Sequence, residues 1–157
     1  MQVSDVMRRE VVTVRPSDTL PRLEEVLSRH RITGAPVVKD GEVVGVISRS
    51  DVIRQLELER SRFEDSSWYF EAFDAEERSA LQDKQVVDAI GARHSTVQVR
   101  ELMTTEVLSL GPDTSLSDAA RQMVEHRVHR LLVMDSGKLV GLVSSLDLLR
   151  GLAELKL

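Results

Sequence analysis

The sequence predicts an α/β (α+β) protein made of two copies of one β-α-β-β-α unit, with a helical insert between them. Three observations predict it. Shifted by 96 positions, the chain matches itself without a gap: Met7 falls on Met103, Pro16 on Pro112, His30-Arg31 on His126-Arg127, Gly45 on Gly141, Ser48 on Ser144, Asp51 on Asp147 and Arg54 on Arg150. Within each copy the apolar spacing alternates between strand runs and helical stripes. Each copy also has a turn dipeptide, Asp40-Gly41 or Ser136-Gly137, between two apolar runs.

The units run over 3–56 and 99–155, and the insert over 57–98. In the first unit Val11-Val12-Thr13-Val14 is a β-branched run ending before Pro16, which predicts a strand. Leu20, Leu23, Val26 and Leu27 recur at helical spacing, with Thr19 as N-cap. Pro36-Val37-Val38 and Val43-Val44-Gly45-Val46-Ile47 predict two strands joined by a hairpin at Asp40-Gly41. A second helix starts near Ser50. In the second unit Ser115 and Asp118 resemble a capping box ahead of the stripe Leu116, Ala119, Ala120, Met123 and Val124. Its second helix starts near Leu146. A unit of about 55 residues is marginal alone, since it buries too small a share of its surface. Two copies packed face to face would solve this and create two related clefts.

The insert opens on Glu57-Leu58-Glu59-Arg60 and then holds every aromatic of the chain: Phe63, Trp68, Tyr69, Phe70 and Phe73. A helix capped by Asp74 and Glu77 follows, with Leu81, Val86, Val87, Ala89 and Ile90 on its apolar face and Gly91 at its end. So dense an aromatic group is expected to cover the units, a second subunit or a ligand cleft.

The 157 residues suit one ordinary domain or two small ones. With 41% hydrophobic residues but only 3% aromatic, the core must be aliphatic. The absence of cysteine removes thiolate chemistry and suits a reducing compartment. Apolar runs such as 43–47 are far too short to span a membrane, and Met1–Asp5 lacks the order of a signal peptide. A cytoplasmic location with no membrane partner is expected. The net charge of −5 argues against nucleic acid as a partner. No nucleophile elbow, HExxH or P-loop lysine motif occurs. His30, His94, His126 and His129 lack metal-ligand spacing. No catalytic residue, metal or catalytic cofactor is therefore expected.

The residues that could carry chemistry are the two serine–aspartate pairs. Ser48-x-x-Asp51 and Ser144-x-x-Asp147 fit a helix start, with the serine as N-cap and the aspartate in the first turn. They are also compatible with a ligand site. A fixed aspartate accepts hydrogen bonds from both hydroxyls of a ribose, and a helix start binds phosphate. His126-Arg127 suits a helix end. His129 and Arg130 lie beyond it, and a guanidinium beside an imidazole suits phosphate oxygens. Thr33-Gly34-Ala35-Pro36 would let a flat ring approach the backbone, or be a plain loop into an edge strand.

Four elements together resemble a tandem pair of CBS (cystathionine β-synthase) domains, the Bateman module. They are Val6-Met7 with Leu102-Met103, the runs ending Thr13-Val14 and Ser109-Leu110, the Gly-Ala-Pro-Val-Val segment at 34–38, and the two Gly-x-x-Ser-x-x-Asp motifs. The resemblance covers both units, not the insert. It implies a pseudo-two-fold module that binds adenosine-containing ligands (AMP, ADP, ATP or S-adenosylmethionine) in two inter-domain clefts. One cleft would use Ser144 and Asp147 for phosphate and ribose, with the backbone of Val12, Ile32, Thr33, Gly34, Ala35 and Pro36 around adenine. The other would use Ser48, Ser50 and Asp51, with Leu108 and Val128 at adenine and His129 and Arg130 on phosphates. The first unit keeps the family's Gly-x-Pro pattern, whereas the second has Arg130-Leu131-Leu132. The resemblance also implies a homodimer through the CBS units and regulation of a separate partner protein; the aromatic insert is a second candidate dimer contact. A ligand-independent interaction or oligomerisation scaffold is the alternative function.

Overall fold

A computed structural model describes residues 1–55 and 95–154. The aromatic cluster and the expected insert helix lie outside them. In chain order the elements are α1 (Val3–Val6), α2 (Leu20–Arg29), β1 (Gly34–Lys39), β2 (Glu42–Ser48), a helix α3 covering 49–55, α4 (Val99–Leu102), β3 (Ser109–Leu110), α5 (Leu116–His126), β4 (Arg130–Asp135), β5 (Lys138–Ser144) and α6 (Ser145–Glu154). The chain divides into two compact units. One holds Met1–Thr13, Ala35–Val46 and Thr104–Leu157; the other holds Val14–Gly34 and Ile47–Met103.

The first of these contains a three-stranded sheet in the order β3-β4-β5. β3 runs parallel to β4, with Leu110 opposite Val133, and β4 pairs antiparallel with β5, with Arg130 opposite Ser144. The β4–β5 turn is the two-residue kind that the dipeptide predicts. Ser136 and Gly137 both have positive φ, of 50° and 79°, which matches the twist of the flanking strands. Asp40 and Gly41 repeat this at 52° and 81° between β1 and β2. Against the sheet lie α5 and α6. Leu110, Leu116, Ala119, Met123, Leu131, Val133, Val143 and Leu148 form one buried cluster with Val3 of α1. The core is aliphatic, as the composition requires.

Both short opening helices hydrogen-bond to the other repeat. Within the first unit, α1 hydrogen-bonds to the second repeat, Val3 N–H to Thr114 O at 2.9 Å and Ser4 N–H to Pro112 O at 2.9 Å. Within the second unit, α4 does the same to the first repeat, Val99 N–H to Asp18 O at 2.8 Å and Arg100 N–H to Pro16 O at 3.0 Å. Val3 and Val99 are each fully buried, worth roughly 1.5–3 kcal/mol per side chain.

The expected strand at Val11–Val14 is shorter than its sequence suggests. Only Val14 makes a bridge, and the equivalent β3 is two residues long. Arg15 donates its N–H to Asp18 Oδ2 at 2.8 Å, so a turn begins immediately after Val14. Thr19 is the N-cap of α2 but its side chain makes no capping bond. Ser115 does cap α5, accepting from Asp118 N–H at 3.0 Å. Arg31 and Arg127 follow their helices in the left-handed region, at φ 52° and 54°. Val128 N–H then reaches back to Met123 O at 3.0 Å, the closing bond of a Schellman turn.

Candidate functional site

The site is built where β5 runs into α6. Ser144 is the last residue of the strand and Asp147 the third of the helix. Free N–H groups at a helix start need acceptors, and Ser-x-x-Asp supplies them reciprocally. Asp147 Oδ2 accepts from Ser144 N–H at 2.9 Å and from the Ser144 hydroxyl at 2.5 Å. Asp147 N–H donates to Ser144 Oγ at 3.2 Å. The helix-start reading is therefore realised, and it occupies one carboxylate oxygen. Oδ1 faces two guanidinium groups, Arg8 Nε at 3.5 Å and Arg150 Nη1 at 3.7 Å. Asp147 is the one buried charged residue among those described, only 3% exposed. Burial opposes its charged form. Hydrogen bonds from the Ser144 hydroxyl and backbone N–H, together with the Arg8 guanidinium, outweigh that and hold the carboxyl below its ordinary value.

Arg8 is put there by a glycine. A Cβ on Gly141 would lie 2.7 Å from Met7 Sδ and 3.0 Å from Arg8 O, so only glycine lets this chain segment lie against β5. Arg8 and Leu142 form an isolated antiparallel bridge there.

In the second unit Asp51 Oδ2 accepts from Ser48 N–H at 2.8 Å and from the Ser48 hydroxyl at 3.0 Å. Its Oδ1 is 3.6 Å from Arg54 Nη1. The Asp51 side chain is 15% exposed, against 4% for Asp147. Ser50 is exposed.

The remaining predicted residues fall as follows. Val12, Ala35 and Pro36 share the first unit with Ser144 and Asp147. Val12 is half-buried, and Ala35 and Pro36 are buried in β1. Ile32, Thr33 and Gly34 belong to the second unit with Ser48, Ser50 and Asp51. Thr33 O accepts the Arg49 N–H at 2.9 Å, tying the entrance of β1 to the start of α3. Gly34 has a packing reason of its own, since a Cβ would meet Ile47 O at 2.9 Å and Ser48 Cβ at 3.3 Å. Leu108, Val128, His129 and Arg130 lie in the first unit. Leu108 and Val128 pack against the buried cluster, and His129 and Arg130 are exposed. His129 O accepts Ser145 N–H at 3.0 Å, the counterpart of the Thr33–Arg49 bond.

Sequence reasoning missed the two arginines at Oδ1. Arg150 carried a signal, its three-residue spacing from Asp147 and its copy at Arg54. Arg8 carried none. A cavity of about 380 Å³ in the first unit, lined by Arg9, Val11, Thr13, Val38, Gly41, Lys138 and Leu139, contains none of the predicted site residues. Among the described residues no three metal-binding side chains cluster.

The CBS domain family model matches residues 3–58 and 99–154. The uncharacterized protein MJ1426 of Methanocaldococcus jannaschii is 30% identical over 97% of this chain and 91% of its own length. A solved structure of CBSX2 in complex with AMP is 27% identical, covers 99% of this chain and 98% of that one, and superposes with a TM-score of 0.70. CBSX2 is a chloroplastic CBS domain-containing protein of Arabidopsis thaliana. A protein with CBS domains from Burkholderia ambifaria MC40-6 shares the fold at 23% identity, with a TM-score of 0.71 over 100% of this chain and 98% of its own. The chain belongs to the CBS domain family and carries that domain twice.

Proposed function

We propose that the protein is a regulatory module that binds an adenosine-containing ligand and signals its bound state to a separate partner protein. The observation that carries this is the division of labour at Asp147. Ser144 fixes Oδ2 at 2.5 and 2.9 Å, which orients the carboxylate and leaves Oδ1 for ribose hydroxyls. CBSX2, at 27% identity, was solved in complex with AMP. In this reading Asp147 holds ribose and Ser144 phosphate, with Val12, Ala35 and Pro36 of the same unit toward adenine. Ser48, Ser50 and Asp51 play the ribose and phosphate roles in the other unit. The functional domains are 3–56 and 99–155, with 57–98 between them, and the location is cytoplasmic. Titration calorimetry with AMP, ADP, ATP and S-adenosylmethionine tests the reading. Binding of at least one, with Asp147→Asn and Asp51→Asn each removing one site, is the expected result. Silence with all four ligands would sink it.

A homodimer is part of the proposal. In α6, Leu146, Leu149 and Leu152 are 50–62% exposed, and Ile53, the duplicate of Leu149, is 54% exposed in α3. Such apolar helix surface suits a second copy of the chain. The same surface favours the second reading, a scaffold that assembles without any ligand. Mass by light scattering with and without nucleotide separates the two. A scaffold holds one mass throughout and binds no nucleotide.

A further inference from the structure

We infer that Arg8 sets the charge preference of the Asp147 site, so that this site takes adenosine bearing phosphate in preference to adenosine bearing a sulfonium cation. The inference rests on the reading of Asp147 as a ribose-binding group.

Two guanidinium groups, Arg8 and Arg150, face one carboxylate oxygen at 3.5 and 3.7 Å. Among the described residues neither arginine has a second carboxylate partner. Both contacts exceed ordinary hydrogen-bond length, and both guanidinium groups are more than half exposed. Ion pairs of this kind are weak in water. A ribose hydroxyl at hydrogen-bond distance can therefore take Oδ1. The cations then remain beside the ligand with their carboxylate engaged elsewhere. The local balance is positive, within a protein whose net charge is −5. A phosphate on the ligand is attracted and a sulfonium repelled.

Arg8 is the component that the duplication does not supply. Arg150 repeats as Arg54, but position 8 repeats as Thr104. The backbone around them is the same. Arg8 and Leu142 exchange N–H···O bonds at 2.9 Å each, and so do Thr104 and Val46. The backbone docking thus does not need a cation. The guanidinium is an addition at one copy, and Arg8→Thr restores the residue that the other copy uses.

The test is calorimetry with adenosine, AMP and S-adenosylmethionine on protein carrying Asp51→Asn, which isolates the Asp147 site. Arg8→Thr and Arg8→Lys are compared in that background. With Arg8, AMP binds more tightly than adenosine. Arg8→Thr reduces that ratio by about tenfold, the size expected of one partly solvated charge pair. It also tightens S-adenosylmethionine relative to adenosine, while Arg8→Lys keeps most of the AMP preference. Binding of AMP and adenosine with the same ratio in all three proteins overturns the inference and leaves the ribose site standing. Absence of adenosine and AMP binding in all of them removes the ribose site and the inference together.

Discussion

Arg8 and Leu142 exchange two backbone hydrogen bonds of 2.9 Å, and this pairing brings Arg8 within reach of Asp147, its Nε 3.5 Å from Oδ1. The pairing depends on the bare backbone of Gly141. Gly141→Ala would set a methyl 2.7 Å from Met7 Sδ and 3.0 Å from Arg8 O. The thioether can shift, but the backbone oxygen cannot. A loss of about 1–3 kcal/mol is expected, read as a fall of several degrees in Tm by calorimetry. An unchanged Tm would show that the segment is not held where the structure has it.

The two aspartates should differ in what they contribute to stability. Asp147 is buried and serves both as cap partner and as ion-pair acceptor, whereas Asp51 is half-buried. Asp147→Ala removes the buried partner of the half-buried Ser144 cap, at a cost of about 2–3 kcal/mol. Asp51→Ala should cost about 1 kcal/mol. Urea midpoints of the two variants give the order directly, and the reverse order contradicts this account.

Acid should remove the Asp147 contribution in a defined window. Its folded carboxyl is held below the ordinary value of 3.8. In the pH range near and below that value the unfolded chain binds the proton more readily than the folded one does. The stabilisation is thus present in full above the ordinary value and is lost as pH falls through the lower folded value. The gap in stability between wild type and Asp147→Asn should be constant from pH 7 down to about 5 and shrink below about 4. A gap that widens on acidification is the opposite of what the hydrogen bonds require.

The exposed leucines of α6 supply a fourth expectation. Leu149 is 62% exposed, so Leu149→Glu should leave the fold intact by circular dichroism. In a dimer that buries this face it should reduce the mass in light scattering to that of one chain, because a buried unpaired carboxylate costs several kcal/mol. A dimer that persists places the interface elsewhere.

What was legible in the sequence is what is local. Asp40-Gly41 and Ser136-Gly137 announce their turns because positive φ at two successive positions suits few residue pairs. Ser144 and Asp147 announce a helix start because cap and partner are three residues apart. The serine–aspartate cap was readable, and so was its rival reading as a ligand site, since both use the same atoms. What sequence spacing could not show is which groups face the free oxygen. Arg8 reaches Asp147 through a strand pairing that no short window contains. The opening helices α1 and α4 were missed for the same reason, their acceptors being Pro112, Thr114, Pro16 and Asp18. The strand at Val11–Val14 was over-read because β-branched residues signal extended backbone, not the presence of a paired neighbour.

The docking of α1 on the second repeat has a consequence for the order of synthesis. Val3 finds its acceptor at Thr114 and Ser4 at Pro112, so about 110 residues must emerge before the first helix has anything to bind. α4 has no such wait, because Pro16 and Asp18 precede it on the nascent chain. Helix α1 is therefore expected to be among the last described elements to fold. Until then Val3 stays in water, where chaperones and proteases can reach it. A ribosome stalled near residue 100 would display a protease-sensitive α1, and synthesis through the second repeat would protect it.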